Sequence, residues 1–198
     1  MQWRRFGDVG VLLEFDDGAT ARRWCSAITQ SGLDAQARPG WRSVLVTSAM
    51  STSSLVDALR ALDITHVASV EPHEFEIGVV YDGDDLDNVA TATGLSRQDV
   101  IGRHTAAEYT VVCLGFSRAF PYLAGLDPSL WLPRHNTPRT RVPAGSVAIA
   151  VEQTGIYPQA SPGGWNLLGH TDEVLFDPHC DPPSRLQPGD HVRFVAKT

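Results

Sequence analysis

Along the chain, apolar positions switch between a spacing of two and a spacing of three to four, and each switch marks an element. Residues 9–15 (VGVLLEF) predict a strand. Over residues 17–29, Ala21, Trp24, Cys25 and Ile28 recur at helical spacing, and Ser31-Gly32 closes the segment. Residues 42–47, centred on Val44-Leu45-Val46, predict a second strand. Residues 53–62 carry Leu55, Val56, Leu59 and Leu62 on one face of a second helix. A third strand is expected over residues 75–81. The simplest arrangement of these pieces is a small α+β sandwich with its helices on one face of a sheet.

The pattern then changes. Asp82-Gly83-Asp84-Asp85 reads as a turn into a short helix over residues 86–93. Gly94-Leu95-Ser96 stops that helix, and Ser96 with Asp99 opens another, running to about His104, with a capping box. Residues 109–116 return to strand. Beyond them, short apolar runs at 146–151, 173–176 and 191–195 are separated by Pro/Gly turns such as Pro143-Ala144-Gly145 and Gln187-Pro188-Gly189-Asp190. Two of the 13 prolines precede residue 111 and the other eleven follow it. Many short strands with dense turn chemistry predict a closed or nearly closed β-barrel. The expected division is a small α+β domain over residues 1–82, then a mainly-β barrel domain over residues 83–198 that begins with a short helical segment.

Composition adds exclusions. With 42% hydrophobic and 20% charged residues, the 198-residue chain lies in the globular range. Its net charge of −7 argues against broad binding to nucleic acid. The imbalance sits in residues 1–110, with 9 Arg against 16 acids, whereas residues 111–198 are balanced. The second half can therefore bind an anion locally. Lys197 is the single lysine, which excludes an internal Schiff-base lysine, and no P-loop, G-x-S-x-G or H-E-x-x-H motif occurs. Cys25, Cys113 and Cys180 are too far apart for a zinc site and odd in number for a disulfide framework. No bound metal is expected, and the acid-rich stretch from Glu71 to Asp87 reads as a solvated linker without EF-hand spacing. The opening MQWRRFGDVG has no apolar run of signal-peptide length, and no segment reads as a membrane span. A cytoplasmic protein is expected.

Candidate chemistry concentrates between Gly115 and Pro178, where Arg118, Arg134, Arg139, Arg141, Gln153, Tyr157, Ser161, Trp165 and His170 fall among loops. Arginine forks suit carboxylate or phosphate, although pairing with local carboxylates explains them equally well. His104, at a helix end, is either stabilised by the helix dipole or a proton carrier in want of a partner.

An ordered set of motifs carries a resemblance. Gly115-Phe116, Phe120-Pro121-Tyr122-Leu123-Ala124-Gly125-Leu126, Pro133-Arg134, Pro138-Arg139-Thr140-Arg141-Val142-Pro143-Ala144-Gly145-Ser146-Val147, Gln153-Thr154-Gly155-Ile156-Tyr157-Pro158, Ser161-Pro162-Gly163-Gly164-Trp165 and Leu175-Phe176-Asp177-Pro178 follow one another in the chain. Together they resemble the allophanate hydrolase subunit 1 family (carboxyltransferase domain, subdomain C and D), which includes the B-type subunit of 5-oxoprolinase and the sporulation-kinase inhibitor of bacilli. The motifs span about residues 104–195; the N-terminal half matches in pattern and length.

The resemblance implies a cyclophilin-like barrel behind the α+β domain. It also implies a partner, the allophanate hydrolase subunit 2 protein or the C-type subunit of 5-oxoprolinase, with an A-type subunit in the 5-oxoprolinase case. The activity it implies is that of an ATP-dependent hydrolase acting on an amide or lactam. ATP is expected to bind the assembly rather than a P-loop here, and this chain would be inactive alone. The expected polar members of a composite site are His104, Arg134, Arg139, Gln153 and Tyr157: the arginines to hold a carboxylate or phosphoryl group, Gln153 and Tyr157 to orient it, and His104 to move a proton or fix a neighbour. A rival reading is a non-catalytic regulator docking on a partner such as a sensor histidine kinase through Phe116, Phe120, Tyr122, Trp131 and Trp165. Two departures from the family pattern stand out. F-x-P-G-F reads Phe116-Ser117-Arg118-Ala119-Phe120, placing Ala where glycine's freedom is expected, and G-R-T reads Gly169-His170-Thr171.

Overall fold

A computed structural model describes residues 2–65, 67 and 71–197. They form two compact units, Met1–Glu71 and Pro72–Thr198.

The first unit orders β1 (Gln2–Phe6), β2 (Gly10–Glu14), α1 (Gly18–Gln30), β3 (Ala35–Pro39), β4 (Ser43–Ser48) and α2 (Thr52–Ala61). Its antiparallel sheet runs β1-β2-β4-β3. Val11 faces Val46 and Leu13 faces Val44 across the β2–β4 ladder, and these four share one buried cluster with Ala21, Ile28, Leu55 and Leu59 from the helices. Each helix starts at a side-chain cap: Asp17 accepts from the Thr20 amide at 2.7 Å and Ser51 from the Ser54 amide at 3.2 Å. The expected strand–helix–strand–helix order is present. Two further strands, β1 and β3, flank it; β1 is exposed at every position and so has no apolar alternation to betray it.

The second unit is mostly β. It contains β5 (Glu74–Val79), α3 (Leu86–Thr93), α4 (Arg97–Ala106), β6 (Glu108–Gly115), β7 (Phe120–Ala124), β8 (Arg139–Val142), β9 (Ser146–Ala150), β10 (Gln153–Ile156), β11 (Ser161–Gly163), β12 (Asn166–His170) and β13 (His191–Ala196). Seven strands curl in the order β12-β9-β10-β7-β6-β13-β5. The two edges meet just past β5, where Val80 and His170 exchange backbone hydrogen bonds of 2.9 Å in both directions. The strand over 75–81, assigned on pattern to the N-terminal sheet, thus belongs to this seven-stranded sheet, paired in parallel with β13. The run at 173–176 forms no strand; Phe176 makes only an isolated bridge with Ser184.

The wall is two-sided where β9 runs through it. All five β9 residues are buried. Val147 and Ile149 point to the main interior with Tyr109, Leu123, Leu168 and Phe194, while Ala148 and Ala150 point to a second cluster of Phe120, Val142, Tyr157, Trp165 and Leu167. The two-residue side-chain period of the strand sorts the large aliphatics from the alanines. The alanines, with Gly155 on β10, leave space for aromatics on the outer face: a Cβ on Gly155 would lie 2.8 Å from the Phe120 ring.

Candidate active-site cavity

Three segments build a cavity of about 270 Å³ on that outer face. The β6–β7 hairpin supplies Phe116, Phe120 and Tyr122. The loop after β10 supplies Tyr157, and the chain from β11 into β12 supplies Gly163, Gly164 and Trp165. Phe120 is the hub: its ring lies 5.0 Å from Tyr122, 5.1 Å from Tyr157 and 5.3 Å from Trp165, all edge to face. The hairpin turn holds Phe116 at φ 57° and Ala119 at φ 62°. The left-handed conformation that glycine would adopt freely is therefore kept with alanine in its place, at a strain of about 1–2 kcal/mol.

The fourth wall is the segment Arg134-His135. Buried Asn166 donates from Nδ2 to the Pro133 carbonyl at 3.1 Å, and the His135 amide donates to the Gly164 carbonyl at 2.8 Å, so both side chains are presented from a pinned backbone. Behind them lies Asp85, whose side chain is 3% exposed. It occupies the N-cap position of α3 yet makes no capping bond. One oxygen instead accepts from Arg139 Nη2 at 2.6 Å and the other from the Leu167 amide at 2.7 Å, while His135 Nε2 stands 3.3 Å from the first. Burial opposes ionisation of Asp85, but the Arg139 and Leu167 hydrogen bonds, with the charge of Arg139, outweigh it and hold the carboxyl below the usual range. Burial raises the Tyr157 hydroxyl above its ordinary value, so it stays a neutral donor at physiological pH.

Of the five residues expected to form the site, the structure brings Arg134 and Tyr157 together at the cavity. Arg139 lies just behind it; the fork expected to meet a ligand meets Asp85, because that buried carboxylate requires a cation. Gln153 is half-buried at the start of β10, between Ala150 and Ala124, and does not line the cavity. His104 is fully buried and stacked at 4.6 Å on Phe194, away from the cavity. Its bonding fixes its tautomer. Thr154 gives its one hydroxyl proton to the Ala148 carbonyl at 3.0 Å, so at 3.0 Å it accepts from His104 Nε2–H; Nδ1 then accepts from the Tyr81 hydroxyl at 2.7 Å. Desolvation drives the imidazole pKa down to about 3. A histidine in that position holds the core rather than exchanging protons with a ligand.

Asp85 and His135 were not among the expected site residues. Asp85 reads locally as one more acid before a helix. His135 carries only its adjacency to Arg134 as a signal. The acid-rich stretch is not a plain linker: Asp82 pairs with His170 at 2.8 Å across the barrel seam, and Asp87 with Arg97 at 2.9 Å. The two departing positions are thus both structural, one in the strained hairpin and one at the seam. Of the aromatics expected to dock a partner, Phe120 and Trp165 are buried, whereas Phe116 and Trp131 are exposed. Among the described residues, no three His, Cys, Asp or Glu side chains are grouped to hold a metal ion, and no helix is long and apolar enough to cross a membrane.

Known proteins share both the sequence pattern and the fold. The family described as carboxyltransferase domain, subdomain C and D, matches residues 1–186. The B-type 5-oxoprolinase subunit of Escherichia coli O157:H7 is 41% identical over 96% of this chain and 93% of its own length. A crystal structure of a conserved uncharacterized protein from Pyrococcus horikoshii superposes with a TM-score of 0.62 at 34% identity, covering 99% of this chain and 97% of that one. The urea amidolyase of Kluyveromyces lactis shares the fold, with a TM-score of 0.79 at 23% identity over 99% of this chain and 15% of that much longer one.

Proposed function

Because the chain belongs to the carboxyltransferase family of subdomains C and D, we propose that it is the B-type subunit of a heteromeric, ATP-dependent lactam or amide hydrolase of the 5-oxoprolinase kind. The observation that carries this reading is 41% identity to a B-type 5-oxoprolinase subunit over nearly the whole of both chains. In this reading the second unit is a cyclophilin-like barrel, and its outer-face cavity is half of a composite site. An allophanate hydrolase subunit 2 protein, or its C-type counterpart in 5-oxoprolinase, completes that site in a cytoplasmic complex.

The cavity suits a small, flat ring. Phe116 and Trp165 offer apolar surface, Arg134 a planar fork for a carboxylate, and Tyr157 a neutral donor. Arg139 acts one step removed, by keeping Asp85 ionised. The chain has no phosphate-cradling motif, so ATP is the business of the assembly, with an A-type subunit where the reaction requires one.

Co-expression with the C-type partner protein, followed by ATPase assays with 5-oxoproline and allophanate, tests this. The assembled proteins should hydrolyse ATP in response to one of the two compounds, and this chain alone should not. Robust substrate-dependent turnover by the lone, contaminant-free chain would refute the composite site. Silence of every assembly with both compounds would refute the hydrolase reading.

A further inference from the structure

His135 Nε2 is sealed from solvent, finds no aligned hydrogen-bond acceptor, and stands 3.3 Å from the Asp85 carboxylate. A buried polar nitrogen without a partner is costly unless its neighbour answers it in another state. Here the neighbour is an anion pinned by Arg139 at 2.6 Å and by the Leu167 amide at 2.7 Å, so it cannot swing away. An anion beside one ring nitrogen selects the tautomer with the proton on that nitrogen. The other nitrogen, Nδ1, then carries the lone pair, on a ring that is 35% exposed and lines the cavity with Arg134 and Tyr157.

Resting on the functional reading above and deepening it, we propose that His135 is the proton acceptor of the cavity and Asp85 its positioning residue. The ligand is a small planar molecule carrying a carboxylate, held by Arg134, and an N–H or O–H group, its own or that of a water molecule beside it. In the step, that N–H or O–H bond breaks and an Nδ1–H bond forms. The electron pair stays on the donor atom, which becomes the stronger nucleophile, and the imidazolium charge is met by Asp85. Release of the same proton later restores the neutral ring. The other charged or titratable groups around the ring are Arg139 on β8, the adjacent Arg134 and the Tyr157 hydroxyl; Asp85 itself comes from the N-cap position before α3.

Two measurements test this. On the assembled complex, His135→Gln should lower kcat about 100- to 1000-fold with KM changed less than about threefold, and should abolish the acidic limb of the pH–rate profile. Asp85→Asn should displace that limb and lower kcat at least about tenfold; Asp85→Glu should recover part of both. On the full chain alone, nitrogen-15 NMR should show neutral His135 as the Nε2–H tautomer, a mixed tautomer in Asp85→Asn, and movement of the Nδ1 signal on adding 5-oxoproline. A His135→Gln complex with the wild-type rate and pH profile overturns the proposal, as does a wild-type Nδ1–H tautomer. If the wild-type complex never turns over, the hydrolase reading fails separately. The NMR then decides alone: a wild-type Nδ1–H tautomer refutes the proton acceptor, and an Nε2–H ring that loses its preference in Asp85→Asn supports it. Melting curves of all variants exclude misfolding as the cause of a loss.

Discussion

Acid should destabilise the second unit through His104. The ring is neutral and fully buried in the folded chain, with a pKa near 3 against 6.5 in the unfolded one. Between those values the unfolded chain binds a proton that the folded chain refuses, so stability is lost as pH falls from about 6.5 and the loss levels off below about 3. The slope approaches about 1.4 kcal/mol per pH unit, which amounts to about 3 kcal/mol by pH 4.5. Glutamine is the informative replacement. Its amide keeps one donor and one acceptor toward Thr154 and Tyr81 but does not titrate. Imperfect bonding should make His104→Gln about 1–3 kcal/mol less stable at pH 7.5. That deficit should shrink with acid, vanish between about pH 6 and 4.5, and then reverse. Urea unfolding of both proteins at half-unit pH steps reads the difference directly, and the other titrating groups cancel in the comparison. Two stability curves that stay parallel from pH 7.5 to 4.5 would refute the buried neutral imidazole.

Ala119→Gly should stabilise the second unit by about 0.5–1 kcal/mol, because relief of the φ 62° strain exceeds the extra entropy of glycine in the unfolded chain. A melting temperature raised by about 2–4 °C is the expected reading, and a lowered one would remove the strain from the account of the hairpin. Arg139→Ala should destabilise by about 3–5 kcal/mol, since Asp85 would remain buried without its cation. The Asp85 carboxyl lies below its unfolded value, so its stabilising share is present above about pH 4 and lost as pH falls through the folded pKa. Without Arg139, burial opposes the Asp85 charge with only the Leu167 amide bonded to it, so the carboxyl of the variant moves up, and denaturant curves should give Arg139→Ala a smaller deficit at pH 5 than at pH 7.

Local chemistry was enough for the helices. The Ser96 capping box and the left-handed Gly94 after α3 sit where short-range pattern puts them, and α3 covers residues 86–93 as expected. The strands β2, β4, β6, β9 and β13 were legible too, because an apolar run or alternation of strand length needs no partner to be recognised. Strands whose side chains serve the surface or the cavity were not, nor were the short, mostly buried β10 and β12. β1 is wholly exposed, and β8 and β11 are short, polar and irregular in register. The ordered Pro, Gly and Arg motifs pointed to the family and to Arg134 and Tyr157 at the cavity.

Long-range pairing decided the rest. β5 and β13 are more than a hundred residues apart, and parallel pairing between them carries no local mark, so β5 was assigned to the wrong sheet. His104 looked like a candidate acid–base group until the curled sheet set Tyr81, Thr154 and Phe194 around it. Arg139 looked free to hold a ligand until the fold delivered Asp85 from 54 residues away. Sequence determines which residue types are present and what each does to its own backbone. Charge state and role depend on what folding sets beside a group, within the few ångströms over which burial and hydrogen bonds act, and those neighbours come from distant parts of the chain.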